Sequence, residues 1–336
     1  MAYTNDQLLA KLDQAYKEVT VADLDQTVLA PDKFDQYIQA MQHRTVILPE
    51  ARFMTMESQI TDIDRVGFVG RILTEGVDAA QAVVGAEASV NPAFNTNRLT
   101  AKELRALTGI RDRALRRNIE RGGFENTLVN LFGEAAGRDF EEWALLANED
   151  ANARQGGPFP AGDVLLTLTD GWIEKAANKV FGVAGADPAE FDPNDVEEIL
   201  DAMLVALPKQ FLQNRSEWRY YVPWELENAY RNVLRARGTA LGDSAQTQAQ
   251  PLYYKGIPVR YCPMMERSQA PVDGAGRVAM LTHPDNTVWG IFHEVYIERE
   301  REAKLRRTDF VLTFEGDCHY EDENAAVSAY LDIARL

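Results

Sequence analysis

Cysteine is scarce in this chain of 336 residues. Only Cys262 and Cys318 are present, so no disulfide framework is implied and a reducing compartment is indicated. Basic residues are also in deficit, because 35 Lys plus Arg face 52 Asp plus Glu and the net charge is −17. Such a charge repels phosphate backbones, so the composition does not favour a dedicated nucleic-acid-binding protein.

Long apolar runs are missing as well. The first residues contain acids and lack the continuous apolar core of a secretory signal. No run approaches the apolar length of a membrane span. The sequence therefore indicates a soluble protein used inside a cell, and its length is enough for one large or two ordinary domains.

Recognisable catalytic or metal-binding motifs are the third absence. An enzyme would have to gather His283, His293, Glu294, Cys318 and His319, but their spacing fits no metal or nucleophile signature. Adjacent Cys318 and His319 on a strand would point to opposite faces. The segments GFVGRILTEG and RGGFEN match neither a phosphate loop nor a dinucleotide fingerprint. The sequence predicts no enzyme, no bound cofactor and no metal site.

Clustered acids are plentiful, and we interpret them as surface features. The clusters are Glu141 with Glu142, Glu197 with Glu198, and residues 321–323. Paired acids of this kind are expected on solvated faces or against a neighbouring subunit rather than as acid/base dyads.

The N-terminal segment is amphipathic but poor in core residues. A predicted short helix carries the stripe Leu8, Leu12, Tyr16 and Val19, and a second polar piece follows at 34–41. Neither piece can form a core alone, so residues 1–48 are predicted to be an arm that lies on another surface. A helical layer on the arm's own domain is the alternative.

A long loop follows the arm. Alternation over Val66, Phe68 and Ile72 predicts a strand, and a second strand is predicted from Leu99 to Leu107. Between them lies a tip rich in glycine, alanine and asparagine. Because a two-stranded hairpin is marginal in water, this excursion is expected to rest on a neighbouring molecule, although a disordered surface loop shares the same composition.

A long amphipathic helix is predicted from Phe124 to Asp150, after the arginine-rich segment LRALTGIRDRALRRNIERGG. Its apolar residues recur at steps of three and four and give one buried stripe. The core positions predicted for it are Leu128, Phe132, Phe140 and Trp143.

The rest of the chain alternates helices and strands. A helix is predicted over Gly171–Val180, and another carries a stripe from Val196 to Leu207 that ends at Pro208. The strand WRYYV leads into the helix PWELENAYRNVLRAR, and a strand is predicted from Ile257 to Cys262. This succession of strand, helix and strand indicates an α/β subdomain. Three alternating runs in the C-terminal part indicate an elongated sheet, so the predicted fold class is α+β.

The order of these segments resembles that of the major capsid protein of tailed double-stranded DNA bacteriophages, the Hong Kong ninety-seven-like fold. The resemblance is carried by the arm, the extended loop, the long helix before a glycine-rich break, and the segments YKGIPVRYCPMM and RRTDFVLTFEGDCHYEDENAAVSAYL. It covers nearly the whole chain from about Arg52. The resemblance implies a structural subunit, many copies of which close into an icosahedral shell around the genome.

The resemblance also implies a role for each segment. Residues 1–48 would be the N-terminal arm and 49–107 the extension loop with its flanking strands. The peripheral domain would comprise 108–160 and 272–320, with a spine helix at 124–150. The axial domain would comprise 161–271 and 321–336.

Two departures from the family pattern change the expected partners. The arm-like sequence starts at Met1, so a cleaved scaffolding extension is not expected and a separate scaffolding protein is. Residues 66–99 contain no lysine, so a covalent weld from this loop is not expected.

The implied partners are other copies in hexamers and pentamers, a scaffolding protein, a portal and a decoration protein. DNA would be enclosed without sequence-specific binding and no membrane would be involved. Assembly is expected in the host cytoplasm and the final location in the virion.

Non-covalent contacts between subunits are therefore predicted from the loop and the arginine-rich segment. The candidate contact residues are Val83, Val84, Val90, Phe94, Arg98, Arg105, Arg111, Arg116 and Arg117. These arginines would face packaged DNA or pair with the acids of a neighbouring subunit.

Two other readings compete with the phage shell. An encapsulin-like nanocompartment shell shares the fold but encloses cargo proteins. A nucleic-acid-binding module would use the same arginines together with Arg113 and Arg121.

Overall fold

The described part of the chain forms two β-sheets, a separate β-hairpin and four α-helices. The computed structural model describes residues 45–68, 92–111, 124–149, 165–181, 195–236, 251–267, 276–292, 296–302 and 304–332. The strands are β1 (Arg52–Met56), β2 (Ile60–Phe68), β3 (Pro92–Thr100), β4 (Lys102–Arg111), β5 (Asn178–Phe181), β6 (Arg219–Val222), β7 (Leu252–Tyr254), β8 (Ile257–Tyr261), β9 (Gly276–Thr282), β10 (Thr287–Phe292), β11 (Tyr296–Glu302), β12 (Arg307–Tyr320) and β13 (Ala326–Asp332). The helices are α1 (Phe124–Leu146), α2 (Trp172–Lys175), α3 (Val196–Ala206) and α4 (Trp224–Ala236).

The five-stranded sheet is built around β12. This strand of 14 residues pairs antiparallel with β4 over Arg307–Gly316, with β11 over Arg307–Thr313 and with β10 over Gly316–Tyr320. Strand β1 pairs in parallel with β10. Burial alternates along β12 as expected for a sheet with one covered face, and Phe310, Leu312 and Phe314 point into the core.

The six-stranded sheet has the order β5-β13-β9-β6-β8-β7. The β5–β13 and β6–β8 pairs are parallel, whereas the other three pairs are antiparallel. Helices α3 and α4 cover one face, where Leu200 and Leu226 share a core with Tyr220, Leu281 and Val327.

The C-terminal half of α1 connects the two sheets. One apolar cluster contains Trp143 of α1, Trp289 of the five-stranded sheet and Met280 of the six-stranded sheet. Helix α2 adds Trp172 to the same cluster. The face of the six-stranded sheet opposite α3 and α4 is thereby covered by α1 and α2, and the two sheets share one core.

Most of the predicted elements occur in the structure, with four corrections. The helix predicted over Gly171–Val180 is limited to α2, because Asn178–Phe181 is strand β5. The strand predicted from Leu99 to Leu107 is two strands, β3 and β4, that pair with different partners. The helix predicted to end at Asp150 ends at Leu146, and the three predicted C-terminal runs are the four strands β10 to β13.

Long-range pairing explains the first two corrections. Strand β5 is held by its parallel pairing with β13, far along the chain. Strand β4 leaves the hairpin and joins β12 in the five-stranded sheet. Local periodicity carries no information about either partner. Among the described helices, none is long and apolar enough to cross a membrane.

Candidate subunit interface

The extension loop begins as an antiparallel hairpin. Strands β2 and β3 pair from Ile60 with Thr100 to Phe68 with Pro92. The first limb, predicted from Val66 and Phe68, is present, whereas the second limb is Pro92–Thr100 rather than the predicted Leu99–Leu107. Residues 69–91, which include Val83, Val84 and Val90, lie outside the described residues. Phe94 lies in β3, but its side chain is outside what the structure describes.

The base of this hairpin is attached to the C-terminal end of β12 by polar contacts. The Thr100 backbone N–H donates to Asp317 Oδ2 at 2.7 Å, and Asn97 Nδ2 donates to the Tyr320 carbonyl oxygen at 2.8 Å. Arg65 forms an ion pair with Asp322. These contacts fix the direction in which the hairpin leaves the subunit.

An apolar seal supports the same attachment. Met56, Ile63, Leu99 and Val288 form a small buried cluster between the hairpin and β10. A Cβ atom at Gly290 would lie 3.0 Å from Met56 Cγ and 3.2 Å from Leu99 Cδ1. A side chain at position 290 would therefore force the side chains of Met56 and Leu99 to shift slightly.

Asp317 connects the hairpin base to α2. Its side chain is almost fully buried, and Lys175 Nζ lies 3.5 Å from Asp317 Oδ1. The Lys175 ammonium also donates to the Cys318 carbonyl oxygen at 2.6 Å. A buried carboxylate with a cation and backbone donors is a satisfied anchor rather than a free acid.

Asn286 and Asp322 form a second polar anchor beneath the hairpin. The Asp322 N–H donates to Asn286 Oδ1 at 2.8 Å, and Asn286 Nδ2 donates to the Asp322 carbonyl oxygen at 3.0 Å. Asp322 is 8% exposed, and Glu321 pairs with Arg52 at 3.1 Å. The prediction that residues 321–323 form a solvated face or contact another subunit is therefore wrong for Asp322, whose carboxylate and backbone serve the subunit's own fold.

The spine helix packs through the residues that its periodicity singles out. Phe140 and Trp143 are buried, and the Phe140 ring centroid lies 5.6 Å from that of Trp289 and 6.0 Å from that of Phe314. These tilted ring pairs join α1 to β10 and β12. The side chains of Leu128 and Phe132 lie outside what the structure describes.

Glu141 corrects a sequence prediction, because it is 1% exposed rather than solvated. Its Oε1 accepts the backbone N–H groups of Val46 at 2.9 Å and Ile47 at 2.6 Å. Burial raises the pKa of Glu141 to about 7, although the hydrogen bonds from residues 46–48 act in the opposite direction. The carboxylate thus fastens the segment before β1 to the spine helix.

The structure describes three of the five predicted contact arginines, Arg98, Arg105 and Arg111. Arg98 Nε donates to Asp62 Oδ1 at 2.8 Å across the hairpin, and both side chains are exposed. Arg105 is exposed on β4. Arg111 ends β4 and is in register with Arg307 of β12. Arg116 and Arg117 lie outside the described residues, and the contact role of the nine candidates stays a prediction.

Of the residues considered for an enzyme, the three that the structure describes do not converge. Cys318 is buried, its thiol donates to the Ala144 carbonyl oxygen at 3.4 Å, and burial raises its pKa to about 12. His319 lies on the opposite face of β12, and burial lowers its pKa. His283 Nδ1 accepts the Asp285 N–H at 3.2 Å. His293 and Glu294 lie outside the described residues, and no group of three metal-binding side chains occurs in the described part.

Sequence reasoning missed the anchors Asp317, Asn97 and Glu141. Asp317 lies between Gly316 and Cys318 near the end of β12, and all three positions are buried. The alternation of β12 puts Asp317 on the face opposite Phe310, Leu312 and Phe314, so the strand pattern does not mark it as a core position. Asn97 has polar residues on both sides, and Glu141 follows Phe140 in a pair of acids, so neither segment signals a buried hydrogen-bonding role.

The comparisons with known proteins agree with this geometry. No family model matches the chain. The chain is 27% identical over 312 residues to the putative prophage capsid protein YqbE of Bacillus subtilis (strain 168), and the alignment covers 92% of this chain and 94% of that protein.

Solved structures of phage shells share the fold. The satellite phage P4 procapsid that includes the size determination (Sid) protein matches with a TM-score of 0.57 and 14% identity, covering 88% of this chain and 98% of that chain. The capsid of the empty GTA particle matches with a TM-score of 0.54 and 14% identity, covering 98% and 100%. The SrpI encapsulin of Synechococcus elongatus PCC 7942 matches with a TM-score of 0.50 and 10% identity, covering 100% and 98%. The α+β capsid fold predicted from the sequence is confirmed.

Proposed function

We propose that this chain is the major capsid protein of a tailed phage, a structural subunit that self-assembles into the icosahedral shell enclosing the double-stranded DNA genome. The observation that carries the proposal is the match to a prophage capsid protein over 92% of the chain. The structure adds a physical reason, because the described contacts between the two-stranded hairpin and the rest of the subunit lie towards its base, at Ile63 and Arg65 of β2 and at Asn97–Thr100 of β3. Such an element is stabilised when its outer part packs on another copy.

The two sheets support the proposed domain assignment. The five-stranded sheet and α1 correspond to the proposed peripheral domain, and the six-stranded sheet with α3 and α4 corresponds to the proposed axial domain. Strand β9, at 276–282, lies in the range 272–320 that was assigned to the peripheral domain, but it belongs to the six-stranded sheet and is therefore proposed as part of the axial domain. In a shell, the axial domains would meet at the centres of hexamers and pentamers, and the peripheral domains would meet between them.

Assembly partners are part of the proposal. A separate scaffolding protein is supported by the P4 procapsid, which includes a size determination protein. A portal and a decoration protein are proposed from the shared fold. The proposed location is the virion, after assembly in the host cytoplasm, and DNA would be enclosed without sequence-specific contacts.

An encapsulin-like shell is the second candidate function. The observation that favours it is the match to SrpI encapsulin over the full length of this chain. The prophage capsid relative favours the phage shell, because sequence identity is 27% for that protein and 10% for the encapsulin.

Electron microscopy of purified particles tests both candidates. The full chain is expressed with and without a candidate scaffolding protein, and the products are separated by size. Closed particles are expected, and in infected or induced cells they are expected to contain nuclease-protected DNA. Particles filled with a protein cargo would favour the encapsulin alternative. A monomer that stays monomeric at high concentration with its proposed scaffold would contradict both.

A further inference from the structure

A surface groove lies on the α3 side of the six-stranded sheet, between the end of α3 and the β7–β8 turn. Its volume is about 570 Å³, and the apolar side chains along it are Leu204, Val205 and Leu212. Val205 is 72% exposed, the largest value among the exposed large apolar side chains of the described residues. Leu204 is buried and Leu212 is half-buried, so an occupant of the groove would make its apolar contact mainly with Val205.

The rim of this groove is basic. Lys209, Arg215 and Lys255 line it, and Asp201 is the acid among the lining residues. The Asp201 carboxylate is already paired with Lys255. Three cations and one acid give the groove a net charge of +2 in a chain whose net charge is −17. A complementary occupant is acidic and has one apolar face.

The backbone conformation at Lys255 allows the charge of this side chain to be removed without disturbing the turn. Lys255 and Gly256 have φ values of 46° and 88°, the left-handed pair of a two-residue hairpin turn. Asparagine is favoured over lysine at the first position of such a turn. A Lys255→Asn variant is therefore expected to keep the turn while it removes the charge.

The N-terminal arm supplies a segment with the required chemistry. Residues 4–25 carry the apolar stripe Leu8, Leu12, Tyr16 and Val19 at helical spacing. The same segment contains five acids and two lysines, a net charge of −3. Apolar contact with Val205 and ion pairing with the rim would therefore be satisfied together.

The position of the groove indicates which copy supplies the arm. The segment 45–50 that follows the arm packs on the α1 side of the six-stranded sheet, where the Tyr221 hydroxyl donates to Glu50 Oε2 at 2.8 Å. Leu204 and Leu212 pack in the core on the opposite side, under α3 and α4. An arm of the same copy would have to pass around the sheet through residues 26–44, and we therefore assign the arm to a neighbouring copy.

We infer that the segment 4–25 of one copy docks, as an amphipathic helix, in the basic-rimmed groove of a second copy. The inference rests on the proposed function, because a shell is what brings the two copies together. It assigns a partner to the arm and a role to the exposed Val205.

Cysteine cross-linking tests this contact in the full chain. Both native cysteines are buried, so an introduced pair reports on itself. Particles of a Leu12→Cys, Val205→Cys variant are exposed to a mild oxidant and separated on a non-reducing gel. Links between chains, seen as dimers and higher multiples, are expected. A matched Gln14→Cys, Val205→Cys variant, with its cysteine on the other face of the predicted helix, is expected to link weakly.

The other outcomes are equally informative. A link within one chain would overturn the assignment to a second copy. No link in well-formed particles would overturn the docking while leaving the proposed shell function intact. Failure of the wild-type chain to form particles under the same conditions would contradict the shell function itself.

The rim charge is tested in the same background. Lys255→Asn is expected to lower the yield of cross-linked chains by up to about fivefold at low salt, the upper limit for one exposed ion pair. Lys304→Asn, an exposed lysine outside the groove, is the control and is expected to leave the yield unchanged. The thermal melt of Lys255→Asn is expected to be unchanged or raised. The reference is the Leu12→Cys, Val205→Cys variant with Lys255 intact. An equal yield of cross-linked chains with and without Lys255→Asn would overturn the role of the rim. So would a thermal melt that falls in parallel with the yield.

Discussion

A single carboxylate inside the spine helix holds the chain that leads into β1. Glu141 accepts two backbone N–H groups with one oxygen, and it does so in a site with almost no exposure. Ionised carboxylates make the stronger hydrogen bonds, but burial penalises the charge. The penalty is the larger effect, because the pKa of Glu141 is raised from 4.5 to about 7.

This raised pKa predicts a pH dependence of stability. Between pH 4.5 and about 7 the unfolded chain has released the Glu141 proton and the folded chain has kept it. The free energy of unfolding is therefore expected to fall as pH rises through this window, by up to about 3 kcal/mol, and this contribution is constant above it. Glu141→Gln keeps the acceptor oxygen but does not titrate, so the fall should be missing. Denaturant unfolding at pH 5 and pH 8 measures both proteins, and equal pH dependence in the two would contradict the assignment.

The stability of the subunit is expected to depend on the buried ion pair beneath the hairpin and not on the exposed ion pair across it. Asp317→Asn leaves Lys175 without its buried carboxylate partner and is expected to cost about 1.5–3 kcal/mol. Asp62→Asn breaks the exposed pair with Arg98 and is expected to have no measurable effect on stability. Thermal melts of the two variants compare them directly. Equal losses would mean that Asp317 is not the anchor of the hairpin base.

At the scale of elements, the spine helix joins both sheets through Trp143. Trp143 is fully buried in the cluster that contains residues of α1 and of each sheet. Trp143→Ala is therefore expected to destabilise the subunit by about 3–5 kcal/mol through the cavity it leaves. Arg138→Ala on the exposed face of the same helix is the control and should stay within about 0.5 kcal/mol. Unfolding curves of the two variants provide the comparison, and a Trp143→Ala protein with wild-type stability would contradict the packing described for this face.

Elements with a strong local pattern could be predicted from the sequence. The apolar stripe from Val196 to Leu207 predicted α3. Its five positions are all buried in the structure: Val196, Ile199, Leu200, Met203 and Leu207. The pattern WRYYV predicted β6, and alternation at Val66 and Phe68 predicted the first limb of the hairpin, β2. In these cases the local spacing and the tertiary environment agree.

Elements defined by distant partners could not be predicted in the same way. Strand β5 consists of four residues, NKVF, that continue a helical pattern and become a strand only beside β13. The anchors of the candidate interface have the same origin. Asn97 and Glu141 acquire their roles from carbonyl and N–H groups far along the chain, and no spacing in their own segments records those groups.

At the scale of the whole molecule, the hairpin is separable from the core that joins the sheets. Its base is held by Asp317, Asn97 and a small apolar cluster, whereas the large clusters lie under α1 and under α3 with α4. The subunit can therefore keep its folded body when the outer part of the loop is changed. This separation allows loss of assembly to be distinguished from loss of folding.

Replacing residues 69–91 with an Asn-Gly turn tests that separation. Phe68 and Pro92 are paired across the hairpin, so a two-residue turn can close it while Asn97 and the other anchors of the base remain. The removed segment contains the predicted contact residues Val83, Val84 and Val90. Each would contribute about 1.5–3 kcal/mol if fully buried on a neighbour, and a closed shell repeats the contact at every subunit. Because residues 66–99 contain no lysine, we expect this burial, with ion pairs near the base, to replace a covalent weld.

The thermal melt of the subunit should stay close to wild type while the yield of particles falls. Wild-type particles should lose stability as salt screens the ion pairs. An unchanged particle yield would show that the loop is dispensable, and a melt that falls in parallel with the yield would show that the loop belongs to the subunit's own core.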